Sequence, residues 1–104
     1  MRRDDVLTKA KAMRLADLRN VGKATLIDFD MLGIASVWQL ARQDADELYT
    51  RLCLLTATKQ DPCVHDTFAA AIHQAKTGEA LNWWALTPLR KKRQKAGTFP
   101  QVML

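Results

Sequence analysis

Apolar residues recur every three or four positions along most of the chain, which is the spacing of helices that bury one side. The stretch from Lys23 to Leu32 shows this spacing, and similar spacing follows Asp44 and Asp61. No stretch alternates apolar and polar residues convincingly enough to predict a half-buried strand. The pattern therefore predicts an all-α, compact domain of about five helices with short connections.

Capping residues predict where these helices begin and end. A short polar helix is expected over Asp4 to Ala12. Ser36 and Asp44 each stand at a helix start, and Asp61 precedes a proline that suits the first helical position. Glycines at positions 33 and 78 suit left-handed caps at two helix ends. The longest helix is therefore expected from Pro62 to about Thr77.

The predicted core combines the buried sides of these helices. Its members are Leu18, Val21, Leu26, Ile27, Leu32, Ile34, Val37, Leu40, Leu48, Leu52, Val64, Phe68 and Ile72, with Leu55 and Tyr49 beside Leu52. Beyond Leu86 the pattern changes, because Thr87-Pro88 predicts the end of any helix and a basic run follows. We therefore expect a folded domain over residues 1–89 and a flexible basic tail over residues 90–104.

Composition narrows the class of protein. The chain has 104 residues, of which 48% are hydrophobic, and this is enough for one domain with a core. No apolar run approaches the roughly 20 residues that span a membrane. The N-terminal stretch lacks the apolar core of a signal peptide. We therefore expect a cytoplasmic protein that makes no membrane contact.

The net charge of +5 is unevenly distributed along the chain. Residues 1–23 hold seven basic and three acidic side chains, whereas residues 24–89 hold four basic and eight acidic ones. The remaining five cations are Arg90, Lys91, Lys92, Arg93 and Lys95. This layout is compatible with a polyanion partner on one face. It is equally compatible with a solvated first helix and a solubilising tail.

The stretch Asn20-Val21-Gly22-Lys23 has the composition of a turn that can hold a phosphate. Backbone N–H groups at a helix N-terminus bind anions, and the helix dipole favours them there. Asn20 and Gly22 tolerate unusual backbone angles, and Val21 anchors the turn in the core. Lys23 adds a cation at the helix start. The candidate DNA phosphate ligands are Arg19, Asn20, Val21, Gly22, Lys23 and Thr25, with the five basic residues at 90–95 as accessory contacts.

This turn resembles the helix-hairpin-helix element, although Asn20 replaces the first of its two usual glycines. A larger set of short segments along the chain resembles the pathogenicity-locus family of small bacterial helix-hairpin-helix proteins, some of which are labelled mitomycin-resistance proteins. The segments that carry this resemblance are 18–23, 32–34, 36–37, 47–49, 51–53, 61–64 and Trp83-Trp84. The hairpin half is also similar to the C-terminal domain of the competence regulator TfoX. The resemblance implies DNA binding and no defined reaction.

Two cysteines and two histidines raise the question of a metal or catalytic site. Cys53 and Cys63 are ten residues apart, and His65 and His73 are eight apart, which does not match the spacing of structural zinc sites. The cysteines are expected to be reduced side chains at a helix junction, with a reversible disulfide as the alternative. Because no Walker-type loop or paired carboxylates stand out, we expect no catalysis, no metal and no cofactor.

Two functional hypotheses follow from these residues. The first is a sequence-independent DNA-binding module, with a protein partner or a homodimer supplying a further contact. The alternative is a protein-interaction adaptor that uses a degenerate hairpin fold and the Trp83-Trp84 region. The two tryptophans are expected to pack a C-terminal segment on the core, with one ring buried and the other partly exposed. Stacking on nucleobases is the other interpretation of this pair.

Overall fold

The computed structural model describes residues 13–104, and these residues are helical apart from their turns. Five α-helices run in the order α1 (Lys23–Met31), α2 (Val37–Leu40), α3 (Ala45–Thr56), α4 (Pro62–Thr77) and α5 (Thr87–Ala96). Single 3-10 turns precede α1 at Leu15–Asp17 and α5 at Trp83–Ala85. The all-α prediction is confirmed. The helix predicted over Asp4–Ala12 lies outside the described residues.

The predicted helix ends are confirmed by their caps. The Ser36 hydroxyl accepts a hydrogen bond from the Gln39 amide at 3.1 Å, and the Asp44 carboxylate accepts one from the Glu47 amide at 3.1 Å. Asp61 caps α4 in the same way, through the Cys63 amide at 2.8 Å. After α1, Gly33 takes a φ of +76°, the left-handed conformation that closes a helix.

The core lies where α4 packs against α2 and α3, with α1 contributing Phe29. Phe29 of α1 and Phe68 of α4 are fully buried and stack with their ring centroids 5.6 Å apart. The buried core residues are Leu18, Val21, Phe29, Leu32, Ile34, Val37, Leu40, Leu48, Leu52, Phe68, Ala71, Ile72 and Ala75, and Leu26 and Val64 pack partly buried against them. Most of the predicted core is therefore confirmed.

The predicted core is wrong at Ile27 and Leu55, which are 52% and 59% exposed. Helix α1 carries apolar residues on more than one side, and the helical pattern alone does not say which side is buried. Phe29 takes the core position, and Ile27, two residues earlier, lies on a different side because positions two apart diverge around a helix. The larger aromatic ring therefore sets the orientation of α1.

Residues 87–96 form a helix, and the predicted separate tail is corrected for this segment. Pro88 lies in the first turn of α5, where no intrahelical hydrogen bond needs its missing N–H. The same Thr87-Pro88 pair that predicted a helix end is thus a helix start. Gly97, with a φ of +78°, closes α5.

Two ion pairs attach α5 to the folded body. The Arg90 guanidinium is 8% exposed and donates to the fully buried Asp66 carboxylate of α4, with Nη2 3.0 Å from Oδ2. The Thr87 hydroxyl donates to the same carboxylate at 2.8 Å. One helical turn later, Arg93 donates to both carboxylate oxygens of Asp46 at 3.0 and 2.7 Å. The inner side of α5 is therefore polar and is neutralised by carboxylates of α3 and α4.

An aromatic contact continues this attachment beyond α5. Phe99 is 8% exposed and forms a small cluster with Tyr49 and Cys53. Its ring centroid lies 5.4 Å from that of Tyr49 and 4.9 Å from that of His65. Residues 87–99 are thus part of the folded body.

We expect Arg90→Ala to lower the free energy of unfolding by about 3 kcal/mol, because it leaves the buried Asp66 charge without its partner. Urea unfolding followed by circular dichroism measures this. Lys92→Ala, on the exposed side of α5, is the matched control and should change stability by less than about 0.5 kcal/mol.

The double variant Asp66→Leu/Arg90→Met should recover most of the loss, because replacing both partners of a buried pair by apolar residues is often neutral. Equal stability of Arg90→Ala and the wild type would contradict the structural role of this ion pair.

Candidate nucleic-acid interface

The residues from Leu18 to Lys23, here named the Asn20 turn, connect the first 3-10 turn to α1. Leu18 and Val21 are buried and hold the turn against the core, as expected for Val21. The Val21 amide donates to the Leu18 carbonyl at 3.3 Å. Asn20 takes a φ of 71°, the left-handed region that asparagine tolerates better than most residues. The core therefore fixes the direction in which the turn enters α1.

Helix α1 begins at Gly22 without a side-chain cap. The first i to i−4 hydrogen bond is donated by Leu26 to the Gly22 carbonyl at 3.0 Å. The amides of Lys23, Ala24 and Thr25 therefore precede the first bond of this kind. By contrast, side-chain oxygens cap α2, α3 and α4. The start of α1 thus offers backbone donors that α2, α3 and α4 use for their own caps, and α5 also begins without a side-chain cap.

Gly22 serves this helix start by lacking a side chain. Its φ of −101° and ψ of −168° are open to any residue, so the positive φ of the turn is at Asn20 alone among residues 18–23. A Cβ placed on Gly22 would meet no atom within 4 Å. The space on the Cβ side of Gly22 is therefore open.

The two cations of the turn differ in their surroundings. Lys23 is exposed at the first position of α1, beside the open amides. Arg19 is also exposed, but its amide donates to Gln74 Oε1 at 2.8 Å and its guanidinium to the Ala80 carbonyl at 3.4 Å. Thr25 is half-buried. Lys23 is therefore the cation best placed beside the helix start.

The Asn20 side chain connects the turn to the tryptophan segment. Its Nδ2 donates to the Leu81 carbonyl at 2.7 Å, and its Oδ1 accepts from the Trp83 amide at 3.4 Å. A glycine would satisfy the left-handed backbone but not these two bonds. This explains physically why asparagine fits the position at which the resemblance leads one to expect glycine. It also means that the Asn20 side chain already has a partner for its oxygen and for one of its two N–H groups.

The two tryptophans are unequally exposed. Trp83 is half-buried, whereas the ring of Trp84 is 57% exposed and stands edge-on to Trp83 with centroids 5.6 Å apart. The expectation of one buried ring is therefore wrong, although Trp83 is the less exposed of the two. Trp84 is not among the predicted phosphate ligands, although the Trp83-Trp84 region was expected as the interface of the alternative adaptor. The attachment of this region to the Asn20 turn depends on contacts between residues 60 positions apart in sequence or more.

The basic run at 90–95, predicted as five accessory cations, divides into inner and outer residues. Arg90 and Arg93 are engaged by Asp66 and Asp46. Lys91, Lys92 and Lys95 are exposed. Arg90 and Arg93 are three residues apart, which places them on the same side of a helix. This spacing could have separated them from the lysines, but only if the segment had been predicted as a helix.

The histidines and cysteines have partners of other kinds. His65 is buried, and its Nε2 lies 2.6 Å from Asp46 Oδ1, while its Nδ1 is buried without a hydrogen-bond partner among the described residues. His73 Nε2 lies 2.8 Å from Glu79.

Burial and the neighbouring Asp61 carboxylate raise the pKa of the Cys63 thiol, which disfavours the thiolate. Within residues 13–104, no three histidine, cysteine or acidic side chains lie close enough together to hold a metal ion.

The fold and the Asn20 turn define a small all-α protein with an open, lysine-bearing helix start. The chain belongs to the pathogenicity-locus family, Cdd1, which it matches over residues 8–92. It is also similar to the mitomycin resistance protein McrB of Streptomyces lavendulae, with 36% identity over 86 residues, covering 83% of this chain and 82% of that protein.

No solved structure matches the chain. Neither name denotes a catalytic activity. In the part of the chain that the structure describes, no helix is long and apolar enough to cross a membrane.

We expect Asn20→Gly to lower the free energy of unfolding by about 1 kcal/mol, because it keeps the left-handed backbone and loses the bonds to residues 81 and 83. Asn20→Ala should lower it by about 2 kcal/mol, because it adds backbone strain. Urea unfolding followed by tryptophan fluorescence measures both. Wild-type stability of Asn20→Gly would show that the side-chain bonds contribute nothing.

The ion pair of Asp46 predicts a pH dependence. Hydrogen bonds from the Arg93 guanidinium, with a smaller contribution from His65, hold the pKa of Asp46 below its ordinary value of 3.8. The carboxylate therefore contributes stability that is present above about pH 4 and is lost as the pH falls through the lowered pKa.

Asp46→Asn should lower stability near neutral pH and reduce the loss of stability between about pH 5 and pH 2. Chemical unfolding at several pH values measures this. Glu47→Gln, an exposed neighbour on α3, is the matched control. Identical acid profiles for Asp46→Asn and the wild type would contradict the stabilising role of the pair.

Proposed function

We propose that this protein binds the DNA backbone without reading its sequence, and that the Asn20 turn holds one phosphate. The observation that carries the proposal is the uncapped start of α1, where the amides of residues 23–25 precede the first i to i−4 bond beside an exposed Lys23. The resemblance of this turn to the helix-hairpin-helix element supports the same function. The protein acts as a binding module with no reaction of its own.

The physical basis is the combination of backbone donors, helix dipole and cation at one point. The amides ahead of the first i to i−4 bond are ready hydrogen-bond donors, and the helix N-terminus favours negative charge by about 0.3–1 kcal/mol. Lys23 adds a Coulombic attraction that salt screens. Backbone contacts of this kind position a protein on DNA but carry no sequence information.

A single phosphate contact is weak, so the proposal includes the exposed lysines of α5 as further contacts. Lys91, Lys92 and Lys95 remain after Asp66 and Asp46 have taken the two arginines. Each phosphate that a cation neutralises adds about 0.9 to the slope of log affinity against log salt. The affinity should therefore fall steeply with salt, whereas a protein-interaction adaptor with an apolar interface would respond little.

We expect Gly22→Asp to lower affinity for a random-sequence DNA duplex at least tenfold, because its carboxylate would cap the same amides and repel phosphate. The variant should fold and gain a few tenths of a kcal/mol, because aspartate is a better N-cap than glycine. Fluorescence anisotropy at two salt concentrations measures affinity, and thermal unfolding measures stability.

Gly22→Asn is the matched control, because it has the same shape and caps the same amides without the charge. It should lose less affinity than Gly22→Asp. A chain ending at Leu89 is not a clean test, because it removes Arg90 from the buried Asp66. Full affinity of the folded Gly22→Asp variant would overturn the Asn20 turn as the phosphate site.

A further inference from the structure

The segment that leads into α5 is attached directly to the Asn20 turn. Arg19 donates to the Ala80 carbonyl, and the Asn20 side chain bonds both the Leu81 carbonyl and the Trp83 amide. The next residue along the chain is Trp84. The aromatic residue that follows this attachment is therefore tied to the proposed phosphate site by the protein's own hydrogen bonds.

The exposure of Trp84 is unusual for its size. Its ring is 57% exposed and contacts Trp83 edge-on. Tryptophan offers a large flat π surface that stacks on other planar groups, and burying it is strongly favourable. A ring of this kind, tied beside a phosphate-binding turn, is suited to stacking on a nucleobase.

The outer side of α5, the helix that follows this ring in the chain, supplies positive charge. Lys91, Lys92 and Lys95 are exposed and have no ion-pair partner among residues 13–104. The rise of an α-helix places Lys95 about 12 Å from Thr87 along the axis. The aromatic ring is thus followed by a short row of cations whose inner neighbours are already neutralised. This charge favours a polyanion over an uncharged or basic protein partner.

We propose that Trp84 and the three outer lysines of α5 bind an unpaired segment of DNA, with the Trp84 ring stacked on one base and the lysines on the following phosphates. Single-strand-binding proteins combine a basic surface with aromatic side chains in this way. The inference rests on the proposed function and names its substrate class, which is DNA in which duplex and single strand meet. A paired base does not qualify, because its faces are already covered by its neighbours in the duplex.

The test uses the full chain and three fluorescent DNA probes read by anisotropy. One is a duplex, the second is the same duplex with a single-stranded overhang of about ten nucleotides, and the third is the single strand alone. Wild-type protein should bind the overhang probe about tenfold more tightly than the plain duplex. Equal affinity for these two probes would overturn the inference.

Substitutions of Trp84 locate the effect. Trp84→Ala should lose about tenfold in affinity for the overhang probe and little for the plain duplex, and Trp84→Phe should retain most of the overhang affinity. Leu55→Ala removes a similarly exposed apolar side chain from α3 and should change neither. If Trp84→Ala loses affinity equally for all three probes, or keeps its affinity for all of them, the Trp84 ring does not stack on a base.

The Gly22→Asp variant separates this inference from the proposed function. It should lose duplex affinity while retaining the Trp84-dependent preference for the overhang over the plain duplex. The wild type could bind the single strand in a way that depends on Trp84 and yet not bind the duplex. That result would overturn the proposed function but would agree with stacking of Trp84 on a base. Binding to none of the three probes would overturn both.

Discussion

The attachment of α5 through carboxylates inside the molecule is the interaction on which the rest of the surface depends. Asp66 is fully buried on α4, and its charge is compensated by Arg90 and the Thr87 hydroxyl. A buried charge without such partners would be strongly destabilising. The pair therefore fixes both the position of α5 and its rotation. That rotation turns the arginines inward and leaves the lysines outward, and this difference determines the charge presented to solvent.

The choice of basic residues on α5 agrees with their two environments. Arginine presents a planar fork of donors that matches a carboxylate, as in the two bonds from Arg93 to Asp46. Lysine is a compact, strongly hydrated charge on a flexible stem, which suits a surface that meets a mobile polyanion. The formal charge of the segment is thus divided between holding the fold and facing solvent.

The local features of the fold could be predicted from the sequence, whereas the long-range ones could not. Ser36, Asp44 and Asp61 set helix starts within three residues of themselves, so their pattern was sufficient. The left-handed conformation of Asn20 also follows from its residue type. Three features depend on partners that are distant in sequence. They are the side of α1 that is buried, the start of a helix at Thr87-Pro88, and the position of Trp84 near the Asn20 turn. Periodicity contains no information about such partners.

The ion pairs of α5 also have a consequence for the order in which the chain assembles. They join residues 24 and 47 positions apart, and Leu89, the one large aliphatic residue of the helix, is 60% exposed. A helix of ten residues without a buried apolar stripe is marginal by itself in water. The ion pairs with α3 and α4 supply stability that this helix lacks by itself. Because this segment follows α3 and α4 in the chain, it leaves the ribosome after them, and Asp46 and Asp66 lack their arginine partners until it emerges.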